Sequence, residues 1–192
     1  MPTVLDVIKD GRIIWIGLLL VSLIVVTPQF LVPLALPAGT VHLHTLGTPG
    51  EPTVWPYTLP YAFGARFCHQ RPDRSFTLNG NQLPVCERCL AIELGIVAAL
   101  CAAVAVRPRG GFFSPLGAFL PSRLRSPPAV LTVGLALMLP MVLDGSLQLV
   151  TTYVSAMPQR LVTGFLFGIG YAGIVIGIVA MFAQHVINIC RR

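Results

Sequence analysis

Four long apolar runs limit what this chain can fold into more than any other feature. Ile13–Leu36 is broken only by Ser22, Thr27, Pro28, Gln29 and Pro33. About 20 residues of α-helix cross the hydrocarbon core of a bilayer. This run is therefore expected to form a first membrane helix, loosened near Pro28 and Pro33, where the backbone lacks N–H donors. Its length exceeds the roughly 7–15-residue apolar core of a cleaved signal peptide. No clear A-x-A site follows it, so an uncleaved anchor is expected. Leu90–Val106, 17 residues interrupted by Glu93, is the shortest acceptable second span. Ala129–Val150, holding Pro140 and Asp144, is the third, and Leu161–Ile187 is the fourth. With 55% hydrophobic and 10% charged residues, little is left for a separate soluble unit. The expected architecture is an all-α integral membrane protein, a single membrane domain over residues 1–192 with four transmembrane helices at about 13–36, 90–106, 129–150 and 161–187.

The connections differ in kind. Residues 37–89 form a long loop between helices one and two, and its first part, Pro37–Phe67, is irregular and rich in Pro, Gly and aromatic residues. Pro49, Pro52, Pro56 and Pro60 argue against a regular helix there, and Trp55, Tyr57, Tyr61 and Phe63 suit the headgroup level of a membrane. Residues 107–126 carry Arg107, Arg109, Arg123 and Arg125 around an aromatic stretch, a basic interfacial loop. Four spans put both termini on one side, which holds eight Lys and Arg residues against five on the other. The positive-inside rule then places the termini in the cytoplasm and the 37–89 loop outside, in a multi-pass protein of the cell (plasma) membrane. The net charge of +6 lies beside apolar runs and not in a stripe, so membrane lipids are the expected partner and nucleic acid is not. Gly164, Gly168, Gly173 and Gly177 make two G-x-x-x-G pairs on the fourth span. They permit close helix contact, including contact with other membrane subunits.

Most residues capable of chemistry lie in Cys68–Cys89, which holds three of the five cysteines, one of the four histidines and three arginines in 22 residues. Cys68, His69, Cys86 and Cys89 offer a Cys₃His set, which suits tetrahedral Zn²⁺. C-x-x-C chelates well, and the 17-residue gap back to Cys68 is ordinary for a zinc site. Adjacent Cys and His on one metal is less usual, so either member of that pair can be a bystander. His42 and His44 face one way if their segment is extended, as added ligands or as plain surface histidines. Thiol chemistry competes with metal binding. C-x-x-C can close a disulfide, and Cys86 near the start of helix two would feel the helix dipole that lowers a thiol pKa. Cys101 and Cys190, in or beside apolar spans, are expected to be buried, inert thiols. His185 has no second intramembrane histidine facing it, which argues against bis-histidine haem.

The four-span topology carries distant polar residues to the same membrane face. Glu93 follows the C-x-x-C pair where helix two begins. Asp144 and Gln148, spaced i and i+4, sit where helix three ends, and Arg160 and Thr163 sit where helix four begins. Arg71, Arg74, Arg88 and Arg160 can fork onto phosphate or carboxylate groups, or pair with Asp73, Glu87, Glu93 and Asp144. Asp144 lies inside an apolar span and needs a partner, with Arg160 the nearest by topology. Asp144 and Glu93 are the candidate catalytic acid–base groups.

At these residues the chain resembles a family of bacterial and archaeal predicted membrane proteins, domain-of-unknown-function family 2085. The resemblance is carried by Cys68-His69-Gln70 with Arg74-Ser75-Phe76, by Val85-Cys86-Glu87-Arg88-Cys89, by Asp144-Gly145 with Gln148, and by Arg160 with Thr163-Gly164. It runs from about Tyr61 to Gly168 and departs from the family pattern at Ala91 and Glu93, where a glycine and an aromatic residue are usual. It implies a small polytopic protein and brings no established activity.

Three functions are compatible with these residues. The first is a membrane protein whose Cys/His cluster holds a zinc-type metal over the helix bundle. The second is a membrane enzyme that binds an anionic lipid or phosphate group through the arginines, with Asp144 or Glu93 as acid–base group. The third is an accessory subunit of a larger membrane complex. A thiol/disulfide redox protein is the alternative reading of the same cysteines.

Overall fold

The computed structural model describes residues 12–42, 55–105, 120–124 and 126–190. Its helices are α1 (Arg12–Ala35), α2 (Thr58–Phe67), α3 (Glu87–Ala105), α4 (Pro127–Val150) and α5 (Met157–Cys190). Between α2 and α3 lies a small antiparallel hairpin, β1 (Thr77–Leu78) and β2 (Asn81–Gln82). Among the described residues three helices are long and apolar enough to cross a membrane: Trp15–Ala35, Glu87–Ala105 and Pro128–Val150. The fourth expected span lies within α5, a single helix of 34 residues. The basic loop falls mostly outside the described residues, as do His44, Pro49 and Pro52.

α5 packs against both α3 and α4, and α1 packs against α3. Glycine sets the closest approach. A Cβ on Gly95 would strike the Phe165 carbonyl, and one on Gly168 would strike that of Ile92. Gly164 presses on the backbone of Arg88, and Gly170 meets Gly134 of α4. Gly164 and Gly168 therefore serve a helix contact within the chain, where small residues let two backbones approach. The opposite faces carry exposed apolar side chains, among them Leu20, Ile24 and Leu31 on α1 and Leu131, Leu135 and Leu139 on α4. Their four-residue spacing on α4 marks a face suited to lipid. Cys101, expected to be buried, is exposed on α3, because the buried face there is given by Ala99, Leu100 and Ala103.

Three local expectations are corrected. α1 does not loosen at Pro28 and Pro33 but continues through both. The carbonyls at its C-terminal end find another donor, since Asn81 Nδ2 reaches Pro33 O at 2.9 Å and Pro37 O at 3.0 Å. The segment before Cys68 contains a regular helix, α2, despite Pro60. Pro60 lies in its first turn, where a missing N–H costs nothing. Trp55 and Phe63 are exposed, but Tyr61 is fully buried and donates its hydroxyl proton to Gln82 O at 2.8 Å.

These bonds make α2 and the hairpin a cap over the end of α1. Asn79 and Gly80, both at positive φ, form the two-residue hairpin turn. The turn aims Asn81 at α1, and Asn81 Oδ1 accepts from the N–H groups of Thr40 (2.8 Å) and Val41 (3.0 Å). Gln70 Nε2 donates to Tyr61 O and Pro84 O, and Gln82 Nε2 donates to Gln70 O. Backbone groups buried in a loop need partners, and here side-chain amides supply them.

Candidate metal centre

The cap decides where the first thiol goes. α2 stops at Phe67, and Cys68 turns extended while its N–H still reaches Gly64 O at 2.8 Å. Beyond the hairpin, Leu83 N–H donates to Phe76 O at 2.9 Å and returns the chain beneath Cys68. Cys86 N–H then donates to Cys68 Sγ at 3.1 Å, and Gln70 N–H does so at 3.4 Å. Because α3 begins at Glu87, Cys89 lies in its first turn with Cys86 just before it. The i, i+3 spacing puts both sulfurs on one side. The three Sγ atoms all lie within 4.8 Å of one another. Leu83, Val85 and Leu90 pack around them, with Phe76 alongside.

All three are free thiols in the structure. Hydrogen bonds from Cys68 and Cys89, aided by backbone N–H groups and opposed by burial, hold the Cys86 thiol well below the ordinary thiol range. Cys68 moves the other way, chiefly through its hydrogen bond to Cys86. One thiolate is thus favoured within a set of three, and a thiophilic cation would favour deprotonation of the others.

Among the described residues no histidine joins them. His69 is exposed and lies outside the group of three sulfurs, on the wall of a neighbouring cavity. His42 is also exposed, with Nε2 3.1 Å from Gly39 O. His44 and the side chains of His185 and Cys190 lie outside the described residues.

Beside the thiols lies a polar cluster in which the Asp144–Arg160 pair suggested by topology is exchanged for two others. Asp144 pairs with Arg88 and not with Arg160. Arg160 Nε donates to Glu87 Oε2 at 2.9 Å. The glycine seam explains the exchange, because it holds the first turns of α3 and α5 side by side. Gln148 joins the rest: it accepts from Arg74 at 3.1 Å and donates to Asp144 Oδ2 and to Ser155 Oγ, each at 3.0 Å. Arg88 also donates to Ser155 Oγ at 3.1 Å, and Tyr153 donates to Asp144 Oδ1 at 3.2 Å. Arg71 is exposed and pairs with Asp73, whose carboxyl it holds below the usual range by hydrogen bonding. Thr163 stands apart, its hydroxyl donating to Gln159 O at 2.7 Å. Glu93 is half-buried, and its Oε2 has no hydrogen-bond partner among the described residues.

A cavity of about 720 Å³ opens between the motif loop and the ends of α4 and α5. Cys86, Cys89 and four arginines line it. Sequence reasoning did not single out Ser155 and Tyr153, since an isolated Ser or Tyr in a connecting segment carries no signal of its own.

The family model described as predicted membrane protein (DUF2085) matches residues 68–175. The chain is 29% identical over 108 residues to an uncharacterized protein of Methanocaldococcus jannaschii, covering 56% of this chain and 60% of that one. It is 33% identical over 105 residues to an uncharacterized protein of Methanothermobacter thermautotrophicus, covering 55% of this chain and 80% of that one. No solved structure matches.

Proposed function

Given that this chain belongs to the predicted membrane protein family DUF2085, we propose that it is a polytopic membrane protein whose Cys68, Cys86 and Cys89 hold a thiophilic divalent metal of the zinc type. One observation carries the reading: three sulfurs from two segments of the motif loop and α3 converge within 4.8 Å. Thiolates at that separation match the ligand set of tetrahedral zinc, whose fourth position can hold a further side chain or a water. Zinc would bind best with the thiols deprotonated, and the depressed Cys86 thiol starts that process. His69, next to Cys68 in sequence, is the nearest imidazole along the chain and would need to turn inward to serve as fourth ligand.

The metal would tie the cap over α1 to the start of α3. This role belongs to a structural or regulatory protein of the cell membrane, with α5 as the fourth span, the termini in the cytoplasm and the motif outside. Membrane lipids are its surroundings. A second membrane subunit would have to use surfaces other than Gly164 and Gly168, which are spent on α3.

A second reading has its own observation. The depressed Cys86 thiol beside two further thiols also suits thiol–disulfide exchange, in which a thiolate attacks and a neighbouring thiol resolves. Metal analysis of the purified protein separates the two. Stoichiometric metal in the wild type, lost in Cys86→Ser/Cys89→Ser, supports the metal centre. No metal in either protein, with a reversible disulfide by mass spectrometry, overturns it in favour of redox chemistry.

A further inference from the structure

We propose that the cavity beside the thiols is a receptor for a phosphate-type oxyanion, carried by a free ion or by a lipid headgroup. Its volume of about 720 Å³ lies within the range of small-molecule sites, about 300–1,000 Å³. Arg71, Arg74, Arg88 and Arg160 all line it. Their neutralisation is uneven. Arg88 and Arg160 each have a carboxylate, Asp144 and Glu87 respectively. Arg71 and Arg74 share a single one, Asp73, at 3.0 and 3.6 Å. Counting these arginines against their carboxylates alone, one positive charge is left over at the rim where those two meet, with Cys86 also on the cavity wall.

Donors are left over as well. Arg160 gives only its Nε to Glu87, and Arg88 gives only its Nη2 to Asp144 and Ser155, so the other terminal N–H groups of both have no partner among the described residues. A neutral ligand could fill the donors but would leave the charge, and a cation would add to it. An oxyanion answers both, since its several oxygens accept from guanidinium forks in geometries that a single carbonyl cannot match. The site's donors are guanidinium groups and not thiols, although Cys86 and Cys89 share the cavity wall.

The test uses the full chain, purified in neutral detergent at low ionic strength, with inorganic phosphate titrated by calorimetry. The expected result is binding that weakens about tenfold or more in Arg74→Gln. If Arg74→Gln fails to fold, Arg71→Gln serves. Its side chain is exposed, and its loss gives Asp73 wholly to Arg74, so the surplus charge disappears and binding should weaken about threefold or more. Phosphatidic acid and phosphatidylcholine, compared by native mass spectrometry, separate the two sources. Retention of phosphatidic acid, displaced by inorganic phosphate, assigns a headgroup, and binding of inorganic phosphate alone assigns a free ion. Absence of binding by either, or unchanged affinity in the folded arginine variants, overturns the proposal. The titration is repeated after chelation and dialysis. Binding that persists separates this site from the metal reading, while binding abolished by chelation makes the metal the receptor and overturns the arginine assignment.

Discussion

Arg160 of α5 and Glu87 of α3 are joined by a 2.9 Å hydrogen-bonded ion pair, and each side chain keeps only 10% of its surface exposed. Glu87 also opens α3, where a carboxylate favours the helix N-terminus. The pair thus welds two helix starts beside the thiols. Removing one partner from a pair this deep leaves an uncompensated charge. Glu87→Ala is expected to lose about 3–5 kcal/mol of stability, measured by unfolding in detergent. Replacing both partners with apolar residues, as in Glu87→Leu/Arg160→Met, should recover most of it. A single mutant as destabilised as the double would show that packing and not charge dominates there.

The glycine seam makes a second prediction. A side chain at Gly168 meets the Ile92 carbonyl, whereas one at Gly17 of α1 meets nothing within 4 Å. Gly168→Leu should therefore part α3 from α5 and lower stability by roughly 2 kcal/mol or more. Gly17→Leu should leave the melting temperature unchanged. Because the seam also aligns Arg160 with Glu87, combining Gly168→Leu with Glu87→Ala should cost less than the sum of the two. Full additivity would mean that the seam and the ion pair are independent.

Those contacts mark the limit of what the sequence reveals. The apolar runs are legible because bilayer thickness imposes a length, and α1 and α4 begin and end within two residues of the expected spans. Cys86 and Cys89 are legible as a chelating pair because their spacing is local. Cys68 joins them through the cap, whose hydrogen bonds follow no period. The hairpin did carry a signal, Asn79-Gly80, but its strands of two residues each are too short for an alternating pattern to mark them in the sequence. The exchange of partners between Asp144 and Arg160 had none. Topology says which residues share a membrane face, but the pairing depends on which two helices the glycines bring closest.

Asn81 gives the third prediction. It is fully buried, and its amide serves carbonyls at the end of α1 and two N–H groups beyond them. Asn81→Ala abandons those groups with no water to replace it. A loss of roughly 2–4 kcal/mol is expected. Since the same cap positions Cys68, the variant should also hold less metal than the wild type at equal protein concentration. Reduced stability with undiminished metal content would show that Cys68 is positioned without the cap.

The last prediction concerns the thiols after metal has been stripped. Cys86 is depressed below the usual thiol range and Cys68 is raised above it. A group whose folded pKa is lowered keeps its charged form as the pH falls, until that lower value is reached. A raised one gains its charge only at more alkaline pH. At a pH of about 6, roughly two units below an ordinary thiol pKa, Cys86 should therefore still be thiolate and Cys68 should not. Iodoacetamide at that pH is expected to label Cys86 ahead of Cys68, as read by peptide mass spectrometry, with the difference narrowing as the solution is made alkaline. The linkage has the same sign: a stabilising Cys86 thiolate contributes fully above the unfolded thiol pKa, and that contribution fades as the pH falls toward the folded value. Adding zinc before the reagent should protect both sites at neutral pH, and acidification should expose them again as protons displace the metal. Equal labelling of the two cysteines at every pH would remove the shared thiolate, and with it the head start toward metal binding assigned to Cys86.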